Sequence, residues 1–243
     1  MAKAKSAKRV PATGDTRSAS APSAPPEPVL RVPAGLKAQV RSMAGRFHKS
    51  ALRRDAILAA ALEEFSARGY AAARLEDVAQ RAGVGKGTIY LHFHDKEALF
   101  RDLVTTLLVP FVANIEAAPV AGLPIRLVLE RLVDLFVREI YGTERRKLIR
   151  LIMTEGPRFP QLAEFYYREV VSRGIAAVRA LLKRAHARGE LRSDVLIRFP
   201  QLLVAPGIVA IIWQSLFEPH AQLDVAAMMR AHLDLVFGEG NAK

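Results

Sequence analysis

The 243-residue sequence predicts an all-α protein in two parts, an N-terminal three-helix helix-turn-helix domain followed by a larger C-terminal helical domain. Three observations predict it. From Ser50 onward, apolar residues recur at three- and four-residue spacing, which puts them on one face of a helix. No run alternates with period two, and no Asn-Gly or Asp-Gly hairpin signal occurs. Two short helical patterns meet at a tight turn, Ala82-Gly83-Val84-Gly85, with Val84 apolar enough to plug the gap between them.

Each element follows from its residues. Residues 1–47 are rich in Ala, Pro, Ser and Lys, with too little apolar surface to offset their ordering entropy, and read as a disordered basic tail. The first helix starts near Ser50, carries Ile57, Leu58, Ala61, Leu62 and Phe65 on one face, and ends at Gly69, a residue suited to a C-terminal cap. The second turns Leu75, Val78, Ala79 and Ala82 inward and stops at Gly83. In the third, Ile89 and Phe93 lie four apart and face inward together. The fourth is capped by Asp95 and runs through Leu99, Phe100, Leu103 and Leu107 toward Pro110. Beyond Pro124, amphipathic patterns predict helices over 124–141, 145–155, 160–188, 195–217 and 223–237.

Composition narrows the classes. Apolar residues make up 51%, which fits a globular chain, and the absence of cysteine excludes disulfides and thiolate metal sites. Net charge is +12, and residues 1–50 hold ten Lys/Arg against Asp15 and Glu27 while 51–100 are neutral. A polyanionic partner suits that distribution, and so does a solvated basic tail. The basic start has no apolar run after it, unlike a signal peptide. Leu202 to Phe217 is interrupted by Pro206 and Gly207 and is too short for a membrane span. The expectation is a cytoplasmic protein with no membrane partner.

The stretch from Arg74 to Phe93, RLEDVAQRAGVGKGTIYLHF, carries the chemistry. With Ile89 and Phe93 inward, Gly87 and Leu91 lie on the opposite side of the third helix, flanked by Thr88 and Tyr90, and Lys86 opens it. Glycine lets backbones approach closely. The lysine and the tyrosine hydroxyl supply donors to phosphate oxygens. Thr88 and Leu91 suit base edges or a thymine methyl group.

From about Ala51 to Phe111 the chain resembles the DNA-binding domain of the TetR family of repressors. The likeness rests on Phe65 with Gly69-Tyr70, Asp77-Val78-Ala79, Ala82-Gly83-Val84, Lys86-Gly87-Thr88-Ile89-Tyr90, His92-Phe93 and Lys96-Glu97-Ala98-Leu99-Phe100. The resemblance implies a DNA-binding domain over 51–111 and a helical ligand-binding and dimerisation domain over 112–243. It further implies that Lys86, Gly87, Thr88, Tyr90, Leu91 and His92 face the groove or its phosphates, with Lys96 reaching the backbone. Two positions depart from the pattern. Gly85 replaces the usual Ser or Thr cap of the recognition helix, a loss of only about a few tenths of a kcal/mol. Arg74 stands where a Ser or Thr caps the second helix and is expected to contact a phosphate at the groove edge. The basic tail is expected to strengthen binding by counterion release without adding sequence preference.

The stretch Glu155-Gly156-Pro157-Arg158-Phe159-Pro160, followed by Leu162-Ala163-Glu164-Phe165-Tyr166-Tyr167, resembles ligand-binding domains of AcrR-type members. That implies a pocket lined by Leu103, Leu107, Phe111, Phe136, Ile140, Ile152, Phe165 and Tyr166, each of which also reads as ordinary core. Mostly aliphatic and aromatic, they favour an apolar or aromatic effector. In the family the last two helices form a four-helix dimer interface, a role open here to Leu202–Phe217, with Trp213, and to Val225–Phe237. The function implied is a homodimeric repressor released from a pseudopalindromic operator by a small molecule, with no cofactor and no catalysis.

Other readings fit less well. Gly83 to Thr88 glances at a phosphate loop, but Gln80 occupies the first glycine position and a helix, not a strand, precedes it. His92, His94 and Asp95 lack a further partner for a metal. His48, His186, His220 and His232 are scattered and expected to face solvent. Arg145-Arg146-Lys147 and Lys183-Arg184 read as solvated helix surface, or as a basic rim for an anionic effector.

Overall fold

The computed structural model describes residues 34–118 and 122–237, with side chains from Lys49 onward. Twelve α-helices and two π turns, with no strand, make up the regular structure of the described residues. Helix α1 spans Ala34–Ala72, α2 Leu75–Arg81, α3 Lys86–His92 and α4 Lys96–Leu107. Then come α5 Val109–Glu116, α6 Ile125–Phe136, α7 Arg145–Glu155, α8 Pro160–Tyr166 and α9 Ser172–Ala187. The last are α10 Val195–Arg198, α11 Gln201–Phe217 and α12 Val225–Phe237.

The start of α1 corrects the sequence reading. The helix begins at Ala34, so the backbone of 34–47, grouped with the disordered tail, is helical. Residues 1–33 lie outside the described residues. At Gly69 the helix breaks, with φ 76° and ψ 162°, where the cap was expected. Asp95 caps α4 as its type predicts, its carboxylate accepting from the Ala98 amide at 2.7 Å. Pro110 does not stop the chain. It sits in the first turn of α5, where its missing N–H is no loss.

Three predicted spans are subdivided. The helix expected over 124–141 is α6 continued by a π turn, Val137–Tyr141. The one expected over 160–188 is α8, a second π turn at Tyr167–Val171, and α9. The one expected over 195–217 breaks at Phe199 (φ −124°, ψ 66°), because the residue before Pro200 is pushed out of helical backbone.

Two apolar clusters hold these elements. One joins the inward faces of α1 to α4 with Ile140, residues of α7 and Leu162 of α8, and the other gathers α5, α6, α9, α11 and α12. Lys96–Glu116 is long and apolar enough to cross a membrane by length and composition. Its Leu99, Phe100, Leu103 and Val104 are instead sealed in the first cluster.

Candidate nucleic-acid interface and ligand pocket

The helix-turn-helix is fixed from beneath by one buried carboxylate. Glu64 of α1, only 1% exposed, accepts from Arg81 Nε and Nη2 at 3.2 and 2.9 Å and lies 3.0 Å from Arg68 Nε. Arg68 also reaches Asp77 at 3.2 Å, so α2 is held to α1 by charge as well as by Leu75, Val78 and Ala79. The turn follows from Gly83, whose φ of 68° suits glycine, and closes as the Val84 amide donates to the Ala79 carbonyl at 3.0 Å. Val84 packs against the core as the plug between helices.

Helix α3 then has two unlike sides. Ile89 is 0% and Leu91 86% exposed, two residues apart. Lys86, Gly87 and Tyr90 lie open beside Leu91, and Thr88 and His92 are half-buried at its edges. A single exposed leucine is ordinary, Leu235 being as exposed; what sets Leu91 apart is its place between Lys86 and Tyr90 on the side opposite Ile89. Arg74 sits at the N-cap of α2 in extended backbone, exposed, its side chain making no hydrogen bond or ion pair among the described residues. His92 opens onto a shallow concavity shared with Arg54, Arg101 and Asp102.

One residue the sequence reading passed over organises this face. Glu76 Oε1 lies 3.0 Å from Lys86 Nζ and accepts from the Tyr90 hydroxyl at 2.9 Å. Its own backbone N–H, then Lys86 and Tyr90, bring its carboxyl from the ordinary 4.5 down to about 2. The same contacts raise the Lys86 ammonium and the Tyr90 hydroxyl. The two foremost phosphate-binding candidates are thus held side by side across the turn. Nothing in the sequence pairs residues ten and fourteen positions apart in this way.

Lys96 is placed differently from the expectation. Its Nζ donates to the carbonyls of Tyr70 and Ala71 at 2.9 and 2.8 Å and lies 4.8 Å from the centre of the Tyr70 ring. It caps the end of α1 in this structure. Phe159 meets the same ring edge-on at 4.9 Å, and Phe100 does so at 5.9 Å. Burial, with Glu97 and Asp95 adding to it, pushes the Tyr70 hydroxyl up to about 12. Beside it the Glu155 carboxylate lies on Gly69, where an added Cβ would come within 2.7 Å of Oε1. The corner Glu155–Phe159 therefore rests directly on the end of α1, and Lys147 adds an ion pair to Glu63 at 2.9 Å.

All eight expected pocket residues belong to, or pack against, the first apolar cluster. Leu103, Ile140 and Ile152 are buried, while Leu107, Phe111, Phe136, Phe165 and Tyr166 keep some accessible surface. Burial pushes the Tyr166 hydroxyl up to about 12. The two concavities the structure presents among the described residues are elsewhere, one beside His92 and one lined by Tyr141, Trp213 and Leu223, and neither includes any of the eight. The two π turns begin just after Phe136 and Tyr166, and such turns recur at functional sites because they re-aim neighbouring side chains. Phe136 packs on Gly207 of α11, where an added Cβ would come within 3.1 Å of its ring.

The face of α11 is unevenly used. Leu202, Val209, Ile212 and Leu216 are exposed along one side. Helix α12 turns Val225, Met229 and Leu233 inward and is tied to α6 by Arg230–Asp134 at 2.6 Å and by Arg126–Asp234.

Comparison with known proteins agrees with this geometry. Residues 57–103 match the family described as bacterial regulatory proteins, tetR family, and 125–235 match the tetracyclin repressor-like C-terminal domain. The repressor BepR of Brucella suis is 31% identical over 153 residues, covering 60% of this chain and 72% of that protein. The regulator YhgD of Bacillus subtilis is 43% identical over 72 residues, 30% of this chain and 38% of its own length. The solved structure of GusR from Salmonella enterica superposes with a TM-score of 0.62 at 27% identity, covering 76% of this chain and 95% of that one. The chain belongs to the TetR family, helix-turn-helix regulators of bacterial transcription.

Proposed function

We propose that the protein is a cytoplasmic, homodimeric repressor that grips a pseudopalindromic operator and releases it when a small apolar or aromatic molecule occupies the C-terminal domain. The observation that carries this reading is the outward side of α3, where Lys86, Tyr90 and the exposed Leu91 stand opposite the sealed Ile89. Arg74, Lys86, Gly87, Thr88, Tyr90, Leu91 and His92 form the proposed DNA-contacting set. Lys96 joins it on exchanging the Tyr70 and Ala71 carbonyls for a phosphate. The exposed side of α11 supplies the dimer contact, and two-fold symmetry then sets two recognition helices about one DNA turn, roughly 34 Å, apart.

Release is a population shift. An effector that fits among the apolar side chains around Tyr166 better in a splayed conformation moves α4 and the Glu155–Phe159 corner, and it acts only as far as it distinguishes the two states. The test is selection of genomic fragments on the purified protein, with a Lys86→Ala, Tyr90→Ala control. Enrichment of a pseudopalindrome about 10³-fold above random DNA, lost in the control, supports the reading. Uniform, salt-sensitive binding that persists in the control rejects it.

A further inference from the structure

We infer that Glu76 is a base-reading residue, a fixed carboxylate that selects cytosine at one position of each operator half-site. The inference rests on the DNA-binding reading above. Glu76 lies in the first turn of α2, its side chain 41% exposed, on the same open side as Lys86 and Tyr90. Both partners hold the same oxygen, Oε1, at 3.0 and 2.9 Å. No other residue reaches Oε2 among the described residues. The result is an acceptor clamped in place beside the groove-facing helix, and a carboxylate's lone-pair sites, about four in all, leave it able to meet a further donor.

The chemistry of the major groove then chooses the base. A carboxylate is acceptor-only. Guanine and thymine present acceptors, and adenine sets its N7 acceptor beside its amino group, so all three repel part of it. Cytosine presents the N4 amino donor alone. The same negative charge disfavours close approach of phosphates, and it occupies Lys86 and Tyr90 with an internal partner. Arbitrary sequence meets that charge without offering it a base contact, so Glu76 lowers non-specific affinity as it adds specificity.

Selection from a random library by the wild type and by Glu76→Gln tests this. The wild type is expected to enrich cytosine at one symmetric position, and replacing that base should weaken its binding about 5- to 150-fold. Glutamine both donates and accepts, which suits adenine N6 and N7, so the variant should switch that one position from cytosine to adenine. Its affinity for random DNA should rise. Identical base preferences at every position would overturn the inference. So would loss of binding to all sequences with unchanged helicity, which would make Glu76 only a positioning residue for Lys86 and Tyr90. If the wild type enriches no site at all, the operator reading itself fails, and the base-reading role with it.

Discussion

Gly69→Ala is the substitution whose cost can be worked most directly. At φ 76° and ψ 162° the residue occupies a region essentially closed to residues with a Cβ, and holding alanine there costs about 1–3 kcal/mol. The new methyl also comes within 2.7 Å of Glu155 Oε1, well inside van der Waals contact. The carboxylate has little room to yield, since its side chain is 13% exposed and Oε2 is buried. Overpacking of that kind adds about 1–3 kcal/mol, giving about 2–6 kcal/mol in all. Glu155→Ala alone behaves differently. Oε2 has no hydrogen-bond partner and its nearest cation, Arg158, is 3.8 Å away, so removal should change stability by less than about 1 kcal/mol. In the double variant the clash is gone and only backbone strain remains, so the two changes should be non-additive by about 1–3 kcal/mol. Urea unfolding followed by far-UV circular dichroism measures all four proteins, with the m-value checking that the unfolded state is unchanged. A Gly69→Ala midpoint within about 0.5 kcal/mol of wild type would refute the argument about backbone strain. Strict additivity would refute the contact with Glu155.

Four further outcomes follow from the same geometry. Arg74→Ala should leave the unfolding midpoint unchanged and reduce the slope of log affinity against log salt by about 0.9, the share of one phosphate; an unchanged slope removes Arg74 from the interface. Carboxyl NMR should place the Glu76 titration near 2 against an ordinary 4.5. A depressed folded value means the stabilisation is present above the unfolded value and lost as pH falls toward 2, so the Lys86 and Tyr90 contacts should persist at pH 4. Ultraviolet titration should find Tyr70 and Tyr166 ionising near 12, and their raised values stabilise the fold below pH 10 and cease to do so as pH climbs through 12. Finally, Leu216→Asp on the exposed side of α11 should yield monomers in sedimentation velocity and weaken operator binding; a stable dimer would move the interface elsewhere.

Features set by near neighbours were legible before the structure. Ile57, Ile89 and Phe93 could be placed inward from spacing alone, and Gly69 and Asp95 mark helix ends because backbone conformation and capping act within a few residues. Features made across the fold were not. Glu76 meets Lys86 and Tyr90 only because the Gly83 turn folds α3 against α2, and helical periodicity carries no trace of that encounter. Lys96 is engaged by carbonyls of α1 through the packing of α4, a contact absent from the family resemblance, which implied a phosphate partner alone. The π turns passed unseen because the apolar pattern continues through both of them.

Those turns carry a consequence for how the chain tolerates changes of length. Each holds one residue more per loop than the α-helix around it, as a single-residue insertion would leave it. Deleting one residue from 137–141 restores the ordinary repeat, so the helix itself survives. The wider turn has absorbed the extra residue, so side chains beyond the deletion keep about their direction and only those inside the turn are re-aimed. Chain length in this segment is therefore constrained only by the few side chains inside the turn, the buried Ile140 among them, while the helix before it and the chain after it are indifferent to it.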